Sequence, residues 1–279
     1  MRTIIVSLFA FALSAQNHDA WNKPFEPFRI AGNIYYVGTN FLASYLVTTP
    51  QGNILINSDY ESSVPLVRAS IEKLGFRFTD TKYLLLSQSH DDHAEGSFLV
   101  KELSGARVLV MEGDADIVEH GGKGDFQYKT TWKPCKVDRV LHDGDTVKLG
   151  GTTLVAHLTP GHTKGCTTWT TTVQDGGRNL NVVIVGGTGV NPGYVLVNNP
   201  KYPSIADDYR RTFRVLRALS CDIFLGAHGS YYGLDDKVAR LKAGASPNPF
   251  IDPDGYRKFI DDSEKAFLEK LAAQQNGTR

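Results

Sequence analysis

The chain has 279 residues, 41% hydrophobic and 22% charged, a soluble globular composition that excludes a disordered chain and suffices for a substantial core. Lys plus Arg and Asp plus Glu both number 30, so the net charge is zero and the basic excess of a nucleic-acid binder is missing. The 27 Gly and 12 Pro follow no period, against collagen-like or low-complexity chains, and three Cys are too few for a disulfide scaffold.

Residues 1–15 differ from the rest. Arg2 is the only charge before Asp19, residues 4–13 are apolar, and Ser14-Ala15 are small. A positive start, a short apolar centre and a small-residue exit describe a secretory signal peptide. The run is shorter than the roughly 20 apolar residues of a transmembrane helix. A buried N-terminal strand or helix is the weaker alternative, because polar Gln16 to Asp19 follow at once. Cleavage is expected near Ala15, leaving one exported, periplasmic domain over 16–279. Cys135, Cys166 and Cys221 allow three pairings with one thiol left over, or three buried free thiols, the slightly preferred reading.

In chain order, residues 28–30 and 34–37 flank Ala31-Gly32-Asn33 and predict a hairpin with a glycine turn. Residues 44–48 and 53–57 flank Pro50-Gln51-Gly52 and predict a second. Val64, Val67, Ile71 and Leu74 keep helical spacing over 62–74, and Gly75 ends that helix. Residues 83–86 form a continuous apolar run, as in a strand buried on both faces. A helix over 98–103 and a short strand over 107–110 follow. The second half repeats the theme, with strands over 146–149, 153–158, 167–173 and 182–185. An amphipathic helix over 205–219 carries Ile205, Tyr209, Phe213, Leu216 and Leu219 on one face. A buried strand over 223–225 and a terminal helix over 256–271 complete the chain. Strands followed by helices, twice over, predict an α/β four-layer αββα sandwich built from two βα halves.

The histidines carry the chemistry. After the strand at 83–86 comes Ser87-Gln88-Ser89-His90-Asp91-Asp92-His93, then a helix predicted to begin near Ala94. Imidazole and carboxylate groups within four residues, on a loop anchored by a rigid strand, can converge on a metal. His162, in Thr159-Pro160-Gly161-His162-Thr163, follows the strand at 153–158, and His228, in Gly226-Ala227-His228-Gly229, follows the strand at 223–225. A lone histidine is usually a cap or a core residue. Four at three strand ends, with Asp92, read as ligands. His18, His120, His142 and His157 lack this setting, and Asp91 reads as a solvated carboxylate.

Gln88-x-His90-x-Asp92-His93, then His162 in Pro-Gly-His-Thr, then a late His228, resembles the H-x-H-x-D-H signature of the metallo-β-lactamase superfamily, across essentially the whole mature chain. Residues 28–39, Pro192-Gly193-Tyr194, and Asp208-Tyr209-Arg210-Arg211 before Cys221-Asp222-Ile223 resemble class B β-lactamases of the third subclass. Glutamine in place of the first histidine resembles the GOB-type branch. The resemblance implies the metallo-β-lactamase fold, one or two Zn2+ per chain, and zinc-dependent hydrolysis of the β-lactam amide bond by a metal-activated hydroxide, which confers antibiotic resistance. It assigns Gln88, His90 and His162 to a first zinc, and Asp92, His93 and His228 to a second. Asp92 would orient the nucleophile. Tyr194 would donate its hydroxyl to the developing oxyanion or merely pack its loop. Thr188, Asn191 and Tyr194 would contact the substrate.

The implied partner is a small-molecule β-lactam, without nucleic acid or membrane, and the chain is expected to be a monomer. Substrate preference would rest on the loops near 120–135 and 186–195. A neutral amide oxygen binds zinc less well than imidazole, so the Gln88 site is expected to fill weakly. Lactonases and glyoxalase II-like thioesterases of the same superfamily compete with this reading. In those, a bridging Asp usually ends the strand between the fourth and fifth ligand segments. Here the strand at 182–185 runs into Gly186-Gly187-Thr188-Gly189, without a carboxylate. A zinc-binding homologue without activity is the non-enzymatic alternative.

Overall fold

Residues 19–277 are described by the computed structural model, so the leader predicted over 1–15 lies outside the described residues. The first sheet runs β1 (Phe28–Ala31), β2 (Ile34–Tyr36), β3 (Tyr45–Thr49), β4 (Gly52–Ile56), β5 (Thr81–Leu85), β6 (Arg107–Met111) and β7 (Arg139–Leu141), neighbours in chain order. The second holds β8 (Thr146–Leu149), β9 (Thr152–Leu158), β10 (Thr167–Asp175), β11 (Arg178–Val185) and β12 (Ile223–Gly226), again in chain order. The helices are α1 (Val64–Lys73), α2 (Asp91–Ala94), α3 (Ser97–Ser104), α4 (Ala115–Glu119), α5 (Ile205–Ala218), α6 (Leu234–Lys242) and α7 (Pro253–Gln275).

Short turns join antiparallel strands, and helical crossovers join parallel ones. Hence β1 to β4 are antiparallel, and α1 and α3 return the chain so that β4, β5 and β6 are parallel. In the same way α5 brings β12 parallel to β11, while β8 to β11 form an antiparallel meander. The β1–β2 turn needs glycine. Gly32 has φ +51°, and a Cβ there would lie 2.9 Å from Val173 Cβ of the opposing sheet.

Alternate residues of the first sheet enter two different cores. Tyr45, Val47, Ile54, Ile56 and Leu85 face inward against Leu154, Trp169 and Val182 of the second sheet. Leu46, Leu55, Leu84 and Val108 face outward and are covered by Val64, Val67 and Ile71 of α1 and Val100 of α3. Tyr209 and Phe213 of α5 and Ile260 and Phe267 of α7 extend the inner core around the second sheet. The four-layer αββα arrangement is therefore the one predicted.

Two details differ from the sequence reading. The helix expected near Ala94 starts at Asp91, so Asp92 and His93 ride its first turn rather than a loop. His90 is still extended (φ −70°, ψ 156°), and the Asp91 carboxylate accepts the Asp92 N–H, which suits a helix start. β7, α4 and α6 lie outside the predicted elements. β7 has three residues at the sheet edge and α4 has five, too few for a period. The three thiols are free, with Cys135 and Cys166 buried and Cys221 only partly so. No helix among the described residues is long and apolar enough to cross a membrane.

Candidate metal centre

The loops leaving β5, β9 and β12 are stitched together by backbone hydrogen bonds. Thr167 N–H donates to Ser87 O at 2.7 Å, Thr159 N–H to Cys166 O at 2.8 Å, and Ala227 N–H to Val185 O at 2.9 Å. These contacts bring chemistry-bearing residues from both halves of the chain into one cleft of about 410 Å³, whose lining includes His90, Asp92, His162 and His228.

Asp92, His93 and His228 meet at one point. His93 Nε2 lies 3.2 Å from His228 Nε2, and Asp92 Oδ2 lies 3.3 and 3.4 Å from those two nitrogens. A tetrahedral ion with ligands at about 2.0–2.1 Å spaces its ligands about 3.3 Å apart, so the triangle fits a zinc-sized cation. Burial pushes both imidazoles down to about 3. For His228 the neighbouring His93 adds to the fall and Asp92 opposes it. They are therefore neutral at pH 7, the protonation state that binds metal.

His90 and His162 face each other beside this triangle, with ring centroids 4.8 Å apart and planes at 72°. Burial, above all, lowers both pKa values as well. His162 Nδ1–H donates to Gly189 O at 2.7 Å, which leaves the Nε2 lone pair free to bind. Gln88 is buried, and neither its amide oxygen nor its nitrogen has a hydrogen-bond partner among the described residues. An orphaned buried amide costs about 1–3 kcal/mol, and a cation on its oxygen would relieve part of that. His90 and His162 thus offer two imidazoles to a second ion, and the orphaned amide of Gln88, two residues before His90, is chemically suited to be a third donor.

Tyr194 reaches the centre from beneath. It is buried, its hydroxyl donates to His162 O at 2.7 Å, and it lies 3.4 Å from His90 Nε2. Asn191 lines the cleft and donates from Nδ2 to Tyr128 Oη at 2.7 Å. Thr188 faces a neighbouring groove along α7 and donates to Ser263 Oγ at 3.1 Å. Asp91 lines the cleft rim.

Further residues in and behind the cleft lie outside the predicted set. Trp21 stacks on Phe41 (4.6 Å, 21°), and their rings stand 5.9 and 5.1 Å from His228. Trp21 is pinned by a bond from Thr39 Oγ1 to its carbonyl at 2.6 Å. Asn57 and Asp59 hold left-handed backbone, at φ +65° and +56°. Between and after them, Ser58 N–H donates to His93 O and Asp59 O accepts from Gly96 N–H, which fixes α2 against β4. Burial pushes the Asp59 carboxyl up to about 8, against the Ser44 hydroxyl that bonds it. A non-repeating Asn-x-Asp after a strand was the only local signal for these residues.

Residues 37–228 match the family model described as Metallo-beta-lactamase superfamily. Among solved structures the chain is similar to the FEZ-1 metallo-beta-lactamase from Legionella gormanii, with TM-score 0.90 and 52% identity, covering 91% of this chain and 98% of that one. It is also similar to LRA-12, a class B3 di-zinc metallo-beta-lactamase from an Alaskan soil metagenome, with TM-score 0.85 and 37% identity, covering 89% and 95%. Among curated proteins it is 30% identical over 122 residues to a hydroxyacylglutathione hydrolase from Hyphomonas neptunium, covering 43% of this chain and 40% of that one. The chain thus spans about two fifths of the length of the curated relatives it matches.

Proposed function

This chain belongs to the metallo-β-lactamase superfamily, and from that premise we propose that it hydrolyses β-lactams with two zinc ions, Gln88, His90 and His162 holding one and Asp92, His93 and His228 the other. The observation that carries the reading is the triangle of Asp92, His93 and His228 donors 3.2–3.4 Å apart in an open cleft. Likeness to β-lactamases along nearly their full length, against two fifths of a thioesterase, selects the substrate. The exit of β11 at Gly186, without a carboxylate, agrees.

Zinc, when bound, supplies Lewis acidity that polarises the lactam carbonyl and acidifies a water. The Asp92 carboxylate orients the attacking water and receives its proton. The Gly189 carbonyl fixes the tautomer of His162, and the Tyr194 hydroxyl braces the His162 backbone. With its proton given to that carbonyl, Tyr194 serves as a brace, the loop-packing role that the sequence left open beside that of oxyanion donor. Trp21 and Phe41 wall off water beside His228, and the Asn191–Tyr128 bond spans the opposite rim. Action as an exported, periplasmic monomer is part of the same proposal, its export resting on the leader-like composition of residues 1–15.

The test is loss of lactam absorbance with a penicillin, a cephalosporin and a carbapenem, using the zinc-loaded mature chain. Opening of at least one is expected, with a fall of about 100-fold or more in chelator and recovery on adding zinc. A chain that cleaves thioesters or lactones well and opens no β-lactam overturns the reading.

Gln88 should make its site the weaker one. Borderline-soft zinc favours imidazole nitrogen over amide oxygen. At limiting zinc, one ion per chain is expected, held by Asp92, His93 and His228. Gln88→His should tighten the other site by about 10-fold or more, given that imidazole replaces a neutral oxygen. Competition titration against a chromophoric chelator reads both sites. Two equally tight sites in the native chain, unchanged in Gln88→His, would show that the amide is an adequate ligand here.

A further inference from the structure

Asp114 stands between the two loops that carry Gln88, His90 and His162. It lies between β6 and α4 and is 1% exposed. Its Oδ2 accepts from Thr163 Oγ1 at 2.6 Å, and its Oδ1 accepts from Gly165 N–H at 2.8 Å. Thr163 directly follows His162, and the Thr163 carbonyl closes that turn by accepting from Gly161 N–H at 2.9 Å. The Ser89 hydroxyl, between Gln88 and His90, lies against the same carboxyl, short of a well-formed hydrogen bond.

The backbones beneath these contacts touch. A Cβ on Gly113 would fall 2.9 Å from the Lys164 carbonyl, and one on Gly165 would fall 2.5 Å from Asp114 N. Paired glycines let the loops dock face to face, and the carboxylate between them satisfies two buried donors. The ligands of the other site hang elsewhere. His93 is held by Ser58 N–H on its carbonyl, and the loop of His228 by Gly229 N–H donating to Phe41 O.

We propose that Asp114 is a positioning residue for the Gln88, His90 and His162 site, locking the two loops so that the three donors face one ion. The proposal rests on the ligand assignment above and extends it to a residue that touches neither metal nor substrate. Its loss should strike one site and spare the other.

The experiment titrates the metal-free mature chain with cobalt(II) and with zinc(II), following the cobalt absorption bands and a competing chelator. Asp114→Ala should weaken the Gln88 site by about 10- to 100-fold, the usual scale for removing a partner that orients a ligand, and leave the Asp92 site unchanged. Asp114→Asn should recover most of the loss. Its amide oxygen can accept from Gly165 N–H while the Thr163 hydroxyl turns to accept from the new N–H. Thr163→Val, which removes one bond and leaves the carboxylate, should shift the same site in the same direction by less. It carries the test if Asp114→Ala does not fold. Native binding at both sites in Asp114→Ala overturns the proposal. So does equal weakening of both sites with Asp114→Asn no better than Asp114→Ala. A native chain that binds no metal overturns the ligand assignment itself, and the proposal with it.

Discussion

An Asp92→Ala variant should turn over β-lactams at least about 100-fold more slowly than the native chain, the scale of losing one acid–base or electrostatic contributor. Two losses combine. The carboxylate is one corner of the donor triangle, 3.3 and 3.4 Å from its two imidazole neighbours. In the proposed reaction it also takes the proton of the attacking water. Asp92→Asn separates these roles, because it keeps an oxygen donor but cannot accept that proton as a carboxylate does. Its turnover should fall further than its zinc content. Asp91 is the natural control: it lines the same cleft, yet its Oδ1 accepts the Asp92 N–H as a helix start does. Asp91→Ala should keep turnover close to native. The readout is kcat at saturating zinc, with metal content measured on the same samples. Near-native turnover in Asp92→Ala would remove Asp92 from the mechanism.

Trp169→Ala should cost about 3–5 kcal/mol of folding stability, the range for emptying a large aromatic site in a core. Trp169 is fully buried on β10, opposite Ala156 of β9 and Ile184 of β11. Its Nε1–H crosses to the first sheet and donates to Leu86 O at 3.3 Å. Leu86 lies immediately before the Ser87–Gln88 turn, so the indole both fills the gap between sheets and props the first ligand loop. Trp169→Phe keeps most of the ring but orphans the Leu86 carbonyl, and should cost less, about 1–3 kcal/mol. Urea unfolding of the zinc-free chain measures both without metal linkage. A loss below about 1 kcal/mol for Trp169→Ala would mean that the inter-sheet core closes over the gap.

What the sequence made legible follows the range of the interactions involved. The apolar run at 83–86, the helical spacing of Val64, Val67, Ile71 and Leu74, and the Gly32 turn are local signals, and each element formed with ends shifted by no more than about two residues. The convergence of His90, His93, His162 and His228 was legible because their segments follow strong strands, and strand ends are fixed points in a layered fold. Helix α6 carried Leu234, Val238 and Leu241 at helical spacing, and that signal went unread. Trp21, Asp59 and Asp114 were not legible. Their roles arise from partners far along the chain, such as Thr39, Gly96 and Thr163, and no spacing within a short window encodes such contacts. The hydrogen bond from the Tyr194 hydroxyl to His162 O, which favours the bracing role proposed for it, exists only in the folded loop.

His93 and His228 are 135 positions apart in the chain, yet their Nε2 atoms stand 3.2 Å from each other. An ion gripping both is a removable cross-link between the two halves. Closing a loop of that span takes about 5 kcal/mol of entropy out of the unfolded chain, by the same reasoning that applies to a disulfide. Metal supply would then set how long the protein survives as well as how fast it works. A chelator would act twice, first by stopping turnover and later by leaving an unstitched chain to open and be digested by proteases.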